Sequence, residues 1–151
     1  MLGGIAQMRL QQRSLQLRHV DAGSCNACEQ ELGALLGKDY DIQKYGIDFV
    51  ASPRHADALV VTGPVTDTMK TAVTKVWEAV ARPRQLVAVG DCAAGCGVCQ
   101  GAYASHGGVA SGLQLPDLVI HGCPPNPSHI LEQLRSLQLR NGQTKPDHEQ
   151  D

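Results

Sequence analysis

The sequence predicts an α/β fold, a parallel sheet with helices on both faces, and three observations predict it. Short, almost entirely apolar runs recur at 58–62, 86–89 and 118–120, which is the pattern of strands buried on both sides. Helical stretches lie between and after these runs, so strand and helix alternate along the chain. Each run stops at a glycine-bearing turn, at Gly63, Gly90 and Gly122, where the backbone can leave the sheet sharply.

Taken in order, residues 15–20 read as a first strand running into Asp21-Ala-Gly-Ser24. A helical stretch at 26–36 follows and is ended by Gly37. Residues 47–51 form a short strand that Pro53 stops. The run at 58–62 is broken by Gly63-Pro64, and Asp67 is placed to cap a helix over 68–81. The strands at 86–89 and 118–120 end at Gly90-Asp91-Cys92 and His121-Gly122-Cys123. Asn126 or Ser128 then starts a closing helix to about 139, with Ile130, Leu131, Leu134 and Leu137 on one side. Residues 17–140 are expected to form the α/β domain. Residues 1–16 are polar and basic and read as a flexible or partner-docking arm, and 141–151 as a polar, frayed tail.

Composition narrows the function. Hydrophobic residues make up 42% of the 151 residues and aromatics only 3%, so the core must rest on Val, Leu, Ile and Ala rather than on rings. A formal charge of −2 provides no basic field, and no nucleic-acid partner is expected. No apolar run approaches the roughly 18 residues of a membrane span, and Arg9, Arg13 and Arg18 interrupt the beginning where an export signal would lie. A cytoplasmic, reducing location is therefore expected. In such a place clustered thiols point to metal or redox chemistry more than to structural disulfides.

Six cysteines are present, and four have telling positions. Cys25, Cys92 and Cys123 each fall just beyond a predicted strand, and Cys28 lies three residues after Cys25. In a parallel sheet the ligand site lies beyond the carboxyl ends of the strands, so these four thiols are expected to gather at one edge. Four thiolates suit an iron–sulfur cubane. They also suit a closed zinc site, and Cys-x-x-Cys by itself is shared with thiol oxidoreductases, although that reading leaves Cys92 and Cys123 idle. Gly23, Gly90, Gly95, Gly97 and Gly122 surround the thiols and permit close approach of backbone to a bound cluster. Cys123-Pro124 removes a competing donor there.

Three segments carry a family resemblance: Asp21-Ala-Gly-Ser-Cys-Asn-Ala-Cys-Glu29, Val89-Gly-Asp-Cys-Ala93 and His121-Gly-Cys-Pro-Pro-Asn126. They resemble the small subunit of multisubunit, membrane-associated [NiFe]-hydrogenases of the formate-hydrogenlyase type, in the family that includes the cluster subunit of respiratory complex I. The resemblance spans about 17–139. It implies a flavodoxin-like fold and one proximal [4Fe–4S] cluster on Cys25, Cys28, Cys92 and Cys123. It further implies a [NiFe]-hydrogenase-like large subunit over the cluster edge and a ferredoxin-like subunit relaying electrons. Membrane subunits of the complex are reached only indirectly, so the chain would sit peripherally on the inner face of the cell membrane. A complex-I-like role in a quinone-reducing complex is the alternative of the same kind; a thiol-disulfide or zinc-binding module is the alternative of another. The resemblance thus implies an electron-transfer subunit with no catalytic residue of its own.

Two departures stand out. Where family members carry Gly-Gly-Val-Phe, this chain has Cys96-Gly-Val-Cys99, and both thiols are read as small packing residues. No cysteine-rich extension follows Cys123, so a single cluster is expected. Glu29 and Glu31 read as favourable charges in a first helical turn, with proton handling by Glu29 as the sharper reading. Asp91 reads as a turn residue, His121 as a loop histidine, and Trp77 as core.

Overall fold

The computed structural model describes residues 14–144. Five strands, β1 (Leu15–Asp21), β2 (Ile47–Phe49), β3 (Ala58–Thr62), β4 (Gln85–Val89) and β5 (Leu118–Ile120), form one sheet in the order β2-β1-β3-β4-β5. Every neighbouring pair is parallel. This is the flavodoxin-like order, in which the chain reverses its direction of travel between β1 and β3. The helices are α1 (Ala27–Ala34), α2 (Asp67–Ala79), α3 (Asp91–Ala94), α4 (Val109–Gly112) and α5 (Pro127–Thr144).

The continuous apolar runs divide between two layers with period two, because successive side chains on a strand point to opposite faces. Ala58, Val60, Val87 and Val89, with Leu15 and Leu17, pack with Leu32 of α1 and with Ile130, Leu134 and Leu137 of α5. Leu59, Val61, Leu86 and Ala88 pack on the other face with Val73 and Trp77 of α2. Trp77 is core, as the sequence implied. Its ring is covered by the Arg84 guanidinium at 4.2 Å, and its Nε1–H donates to Gln114 Oε1 at 3.1 Å. An indole needs such an outlet when it is buried.

The ends of elements moved from their expected places for local reasons. β1 starts at Leu15, where the strand was expected, and so takes Leu15 and Gln16 out of the span 1–16 read as an arm. Leu15 is buried, and its N–H donates to Gly46 O at 2.9 Å. The rest of the expected arm, residues 1–13, lies outside the described residues. α2 begins at Asp67 itself, so Thr66 rather than Asp67 precedes it, and Thr66 makes no side-chain cap. Thr66 is held in an antiparallel bridge to Ser105, while the Asp67 carboxylate faces His106 Nε2 at 2.9 Å. α5 continues through Asn141 to Thr144, into the stretch read as tail; residues 145–151 lie outside the described residues.

The connection between β4 and β5 contains only the short α3 and α4. It is fastened across the sheet end by His106 N–H to Val65 O and Gly108 N–H to Pro64 O, each 2.9 Å. A side chain's first carbon at Gly95 would come within 2.4 Å of Gly107 O. This contact pins the loop that follows Cys92.

Candidate metal centre

Register brings the cysteines together. Asp21 pairs with Thr62, Thr62 with Val89, and Val89 with Ile120, so four strands finish on one line. Cys25, Cys92 and Cys123 follow within four residues of that line. The Asp21 carboxylate accepts the Gly23 and Ser24 N–H groups at 2.9 and 2.7 Å, a local turn that asparagine and aspartate favour. Asn26 then takes a left-handed conformation, φ 72°, and α1 opens with Cys28 in its first turn. Between the other two strands, Asp91 N–H donates to Gly122 O at 2.9 Å, and the Asp91 carboxylate accepts Gly122 N–H at 2.9 Å. The turns carrying Cys92 and Cys123 are thereby locked to one another.

The thiols act on each other electrostatically. Burial pushes the Cys28 thiol up to about 12, with Glu29 and then Cys25, Cys92 and Cys123 adding in the same direction. Burial also raises Cys92; a side-chain hydrogen bond with Cys99 adds to the rise, the Cys99 backbone N–H opposes it, and Cys123 contributes too. Cys28 and Cys92 are half-buried, and Cys25 and Cys123 are exposed. Cys28 is within electrostatic range of the other three thiols, and nearby positive charge would favour its ionised form. A bound metal group is the usual source of that charge.

The backbone makes room for sulfur in two places. A β-carbon at Gly90, where φ is +92°, would stand 2.6 Å from Cys28 Sγ. One at Gly97 would stand 3.0 Å from Cys92 Sγ and 2.8 Å from Cys92 N. The residues present fit a thiolate-held group on these grounds, since both half-buried thiols are cradled where any larger residue would displace them.

Sequence reasoning missed a polar trio beside Cys28. The Glu29 carboxylate accepts Ser24 Oγ–H at 2.6 Å and the Thr62 hydroxyl on the same oxygen, Oε1. Thr62 Oγ1 in turn lies 2.9 Å from His19 Nε2, and His19 Nε2 is 3.7 Å from Glu29 Oε1. With Nε2 protonated, donation runs from His19 to Thr62 to Glu29. Burial holds His19 below the usual histidine value, against the opposing pull of Glu29 and Asp21. Glu29 Oε2 is buried with no hydrogen-bond partner among the described residues. His19 and Glu29 border a cavity of about 240 Å³ lined also by Leu32, Gly33, Leu36 and Phe49. A signal existed: Leu15, Leu17 and His19 alternate onto the α1 face of β1, as Ala58, Val60 and Thr62 do on β3.

Cys96 and Cys99 part company. The packing role expected of both does not hold for Cys96, which is exposed and faces His121 Nδ1 at 3.9 Å. Cys99 is half-buried against Cys92. His121 Nδ1 also lies 3.4 Å from Asp91 Oδ1, so Asp91 does more than turn the chain.

Comparison with known proteins follows the same outline. The family described as "NADH ubiquinone oxidoreductase, 20 Kd subunit" matches residues 25–137. The probable membrane-bound hydrogenase subunit mbhJ of Pyrococcus furiosus is 39% identical over 119 residues, covering 79% of this chain and 71% of that protein. Formate hydrogenlyase subunit 7 of Escherichia coli is 37% identical over 119 residues, again 79% of this chain; the chain spans only 46% of that protein. Among solved structures, a chain of the archaeal membrane-bound sulfane sulfur reductase complex superposes with a TM-score of 0.73 at 23% identity. That match covers 94% of this chain and 78% of the other, and it is a likeness of fold.

Proposed function

The chain belongs to the NADH ubiquinone oxidoreductase 20 Kd subunit family, and from that premise we propose that it is an electron-transfer subunit holding one [4Fe–4S] cluster on Cys25, Cys28, Cys92 and Cys123. The observation that carries the reading is the strand register that brings these four thiols to one sheet edge, with Cys28 in electrostatic range of the other three. The cluster, when bound, supplies a one-electron store. The chain supplies the four thiolates, the close glycine backbone at Gly90 and Gly97, and the Cys99 N–H directed at the Cys92 sulfur. Hydrogen bonds and burial of this kind set a cluster's potential.

Electrons pass between a [NiFe]-hydrogenase-like large subunit over the thiol edge and a ferredoxin-like relay. The relatives' names, a membrane-bound hydrogenase subunit and a formate hydrogenlyase subunit, support that assignment. No helix among the described residues is long and apolar enough to cross a membrane; the reading places the chain peripherally, attached to a membrane through partner subunits. The quinone-reducing reading keeps one observation in its favour, the family's own description. Against it stands the two-residue spacing of Cys25 and Cys28.

The test is anaerobic purification of the complex containing this chain. About four iron and four acid-labile sulfide per chain are expected, with a reduced-state paramagnetic signal. A colourless chain holding zinc on the same four thiols would overturn the proposal.

A further inference from the structure

Asp91, Cys96 and His121 have no part in the proposed ligand set, yet their donor atoms converge. Cys96 Sγ lies 3.9 Å from His121 Nδ1, and His121 Nδ1 lies 3.4 Å from Asp91 Oδ1. All three donor atoms fall within 4.8 Å of one another. Zinc bonds of about 2.3 Å to sulfur and about 2.0–2.2 Å to nitrogen and oxygen, set tetrahedrally, require ligand separations of about 3.4–3.6 Å. The His121–Asp91 separation already meets that requirement, and the other two need only a small swing of exposed side chains.

The framework beneath these side chains is fixed by backbone bonds. Cys96 N–H donates to Asp91 O at 3.0 Å, and Asp91 N–H to Gly122 O at 2.9 Å. Gly122 N–H donates to the Asp91 oxygen that faces His121, at 2.9 Å. Asp91 thus anchors the segments carrying both other donors and has its own carboxylate oriented. The pairing of Val89 with Ile120 sets β4 and β5 side by side just before these residues.

We propose that Asp91, Cys96 and His121 form a second metal site, for a single divalent zinc-like cation, at the rim of the four-thiol edge. One thiolate, one imidazole and one carboxylate make a mixed donor set of borderline softness. Calcium and magnesium prefer oxygen alone, and copper(I) prefers more sulfur. Three protein donors leave a fourth position for water or a partner's side chain, as in open zinc sites. The site uses none of the four thiols assigned to the cluster and is independent of that assignment.

The experiment uses the full chain, reconstituted anaerobically with iron and sulfide, then given one equivalent of zinc and desalted. Wild type is expected to retain about one zinc whose X-ray absorption shows one sulfur and otherwise nitrogen or oxygen neighbours. Cys96→Ser and His121→Gln should each weaken zinc binding at least about tenfold while iron content stays unchanged. The His121 side chain is 66% exposed, so its replacement leaves the core untouched. Zinc lost from wild type on desalting, or held equally by His121→Gln, would overturn the site, and so would loss of iron in Cys96→Ser. If the preparation carries no iron, the cluster reading fails by itself and the sulfur count decides: one sulfur supports this site, and four place zinc on the other thiols and overturn it.

Discussion

Gly90 lies directly against the Cys28 thiol. Its backbone has φ +92°, and a β-carbon there would be 2.6 Å from Sγ. Gly90 follows β4 while Cys28 lies in the first turn of α1 after β1, so this one contact joins elements that are distant in sequence. Replacing Gly90 by Ala incurs both a positive-φ backbone cost of about 1–3 kcal/mol and a steric push on the sulfur. Gly90→Ala is expected to lower iron content to less than half of wild type and to reduce melting temperature. Iron per chain after anaerobic purification, with circular dichroism to show a folded chain, checks it; wild-type iron in a folded variant contradicts the cradle.

The cysteines separate into two classes by the same measurement. Cys25→Ser, Cys28→Ser, Cys92→Ser and Cys123→Ser should each strip or convert the cluster, seen as lost iron and an altered paramagnetic signal. The double variant Cys96→Gly, Cys99→Phe should keep about four iron, because those thiols lie outside the proposed set. Full iron in several of the first group, or an empty double variant, would show that the ligand set is wrong.

The trio beside Cys28 has a structural consequence at neutral pH. Thr62 is fully buried and supplies a hydroxyl donor to Glu29. Thr62→Val keeps the shape and removes the donor, leaving a buried carboxylate oxygen with one bond fewer. The expected cost is about 1–3 kcal/mol, read from denaturant unfolding of the full chain against wild type. A change below a few tenths of a kcal/mol would mean that solvent replaces the hydroxyl.

His19 provides a pH dependence whose sign can be worked out. Burial lowers its folded value below the ordinary 6.5, so below pH 6.5 the unfolded chain holds the proton more readily than the folded one. Stability present above about pH 6.5 is therefore lost as pH falls toward the folded value. His19→Asn, which keeps a donor for Thr62, should flatten the decline of melting temperature between pH 7.5 and 5.5. An unchanged acid slope would assign the decline to other groups.

For the parent complex, the spacing Cys25-Asn-Ala-Cys28 points to hydrogen chemistry. The resemblance to hydrogenase small subunits goes with this two-residue spacer, which relieves the strained dihedrals that adjacent cysteines would demand around a cube. Hydrogen evolution from a reduced viologen is expected from the purified complex, with quinone reduction assayed alongside. A nickel-free complex that reduces quinone and makes no hydrogen would falsify the assignment to hydrogen chemistry.

Much of the fold was legible because its information is local. The runs at 58–62 and 118–120 match β3 and β5 residue for residue, since strands of a parallel sheet covered by helices read as near-continuous apolar runs. The four thiols at strand ends were legible for a related reason: parallel connection places every carboxyl terminus on the same side. Where the elements stop was less visible: α2 begins at Asp67 rather than after it, because Thr66 is claimed by Ser105, a partner distant in the chain.

The sequence by itself determined the alternation of strand and helix, the composition of both layers, and the edge on which Cys25, Cys28, Cys92 and Cys123 would lie. Only the tertiary structure decided what surrounds them. The cradle at Gly90, the donation from Thr62 to Glu29 and the convergence of Asp91, Cys96 and His121 all join segments with no common sequence pattern. A period of two or 3.6 residues records which way a side chain faces, whereas a contact across strand ends depends on register and loop path, and those are set by the packed sheet.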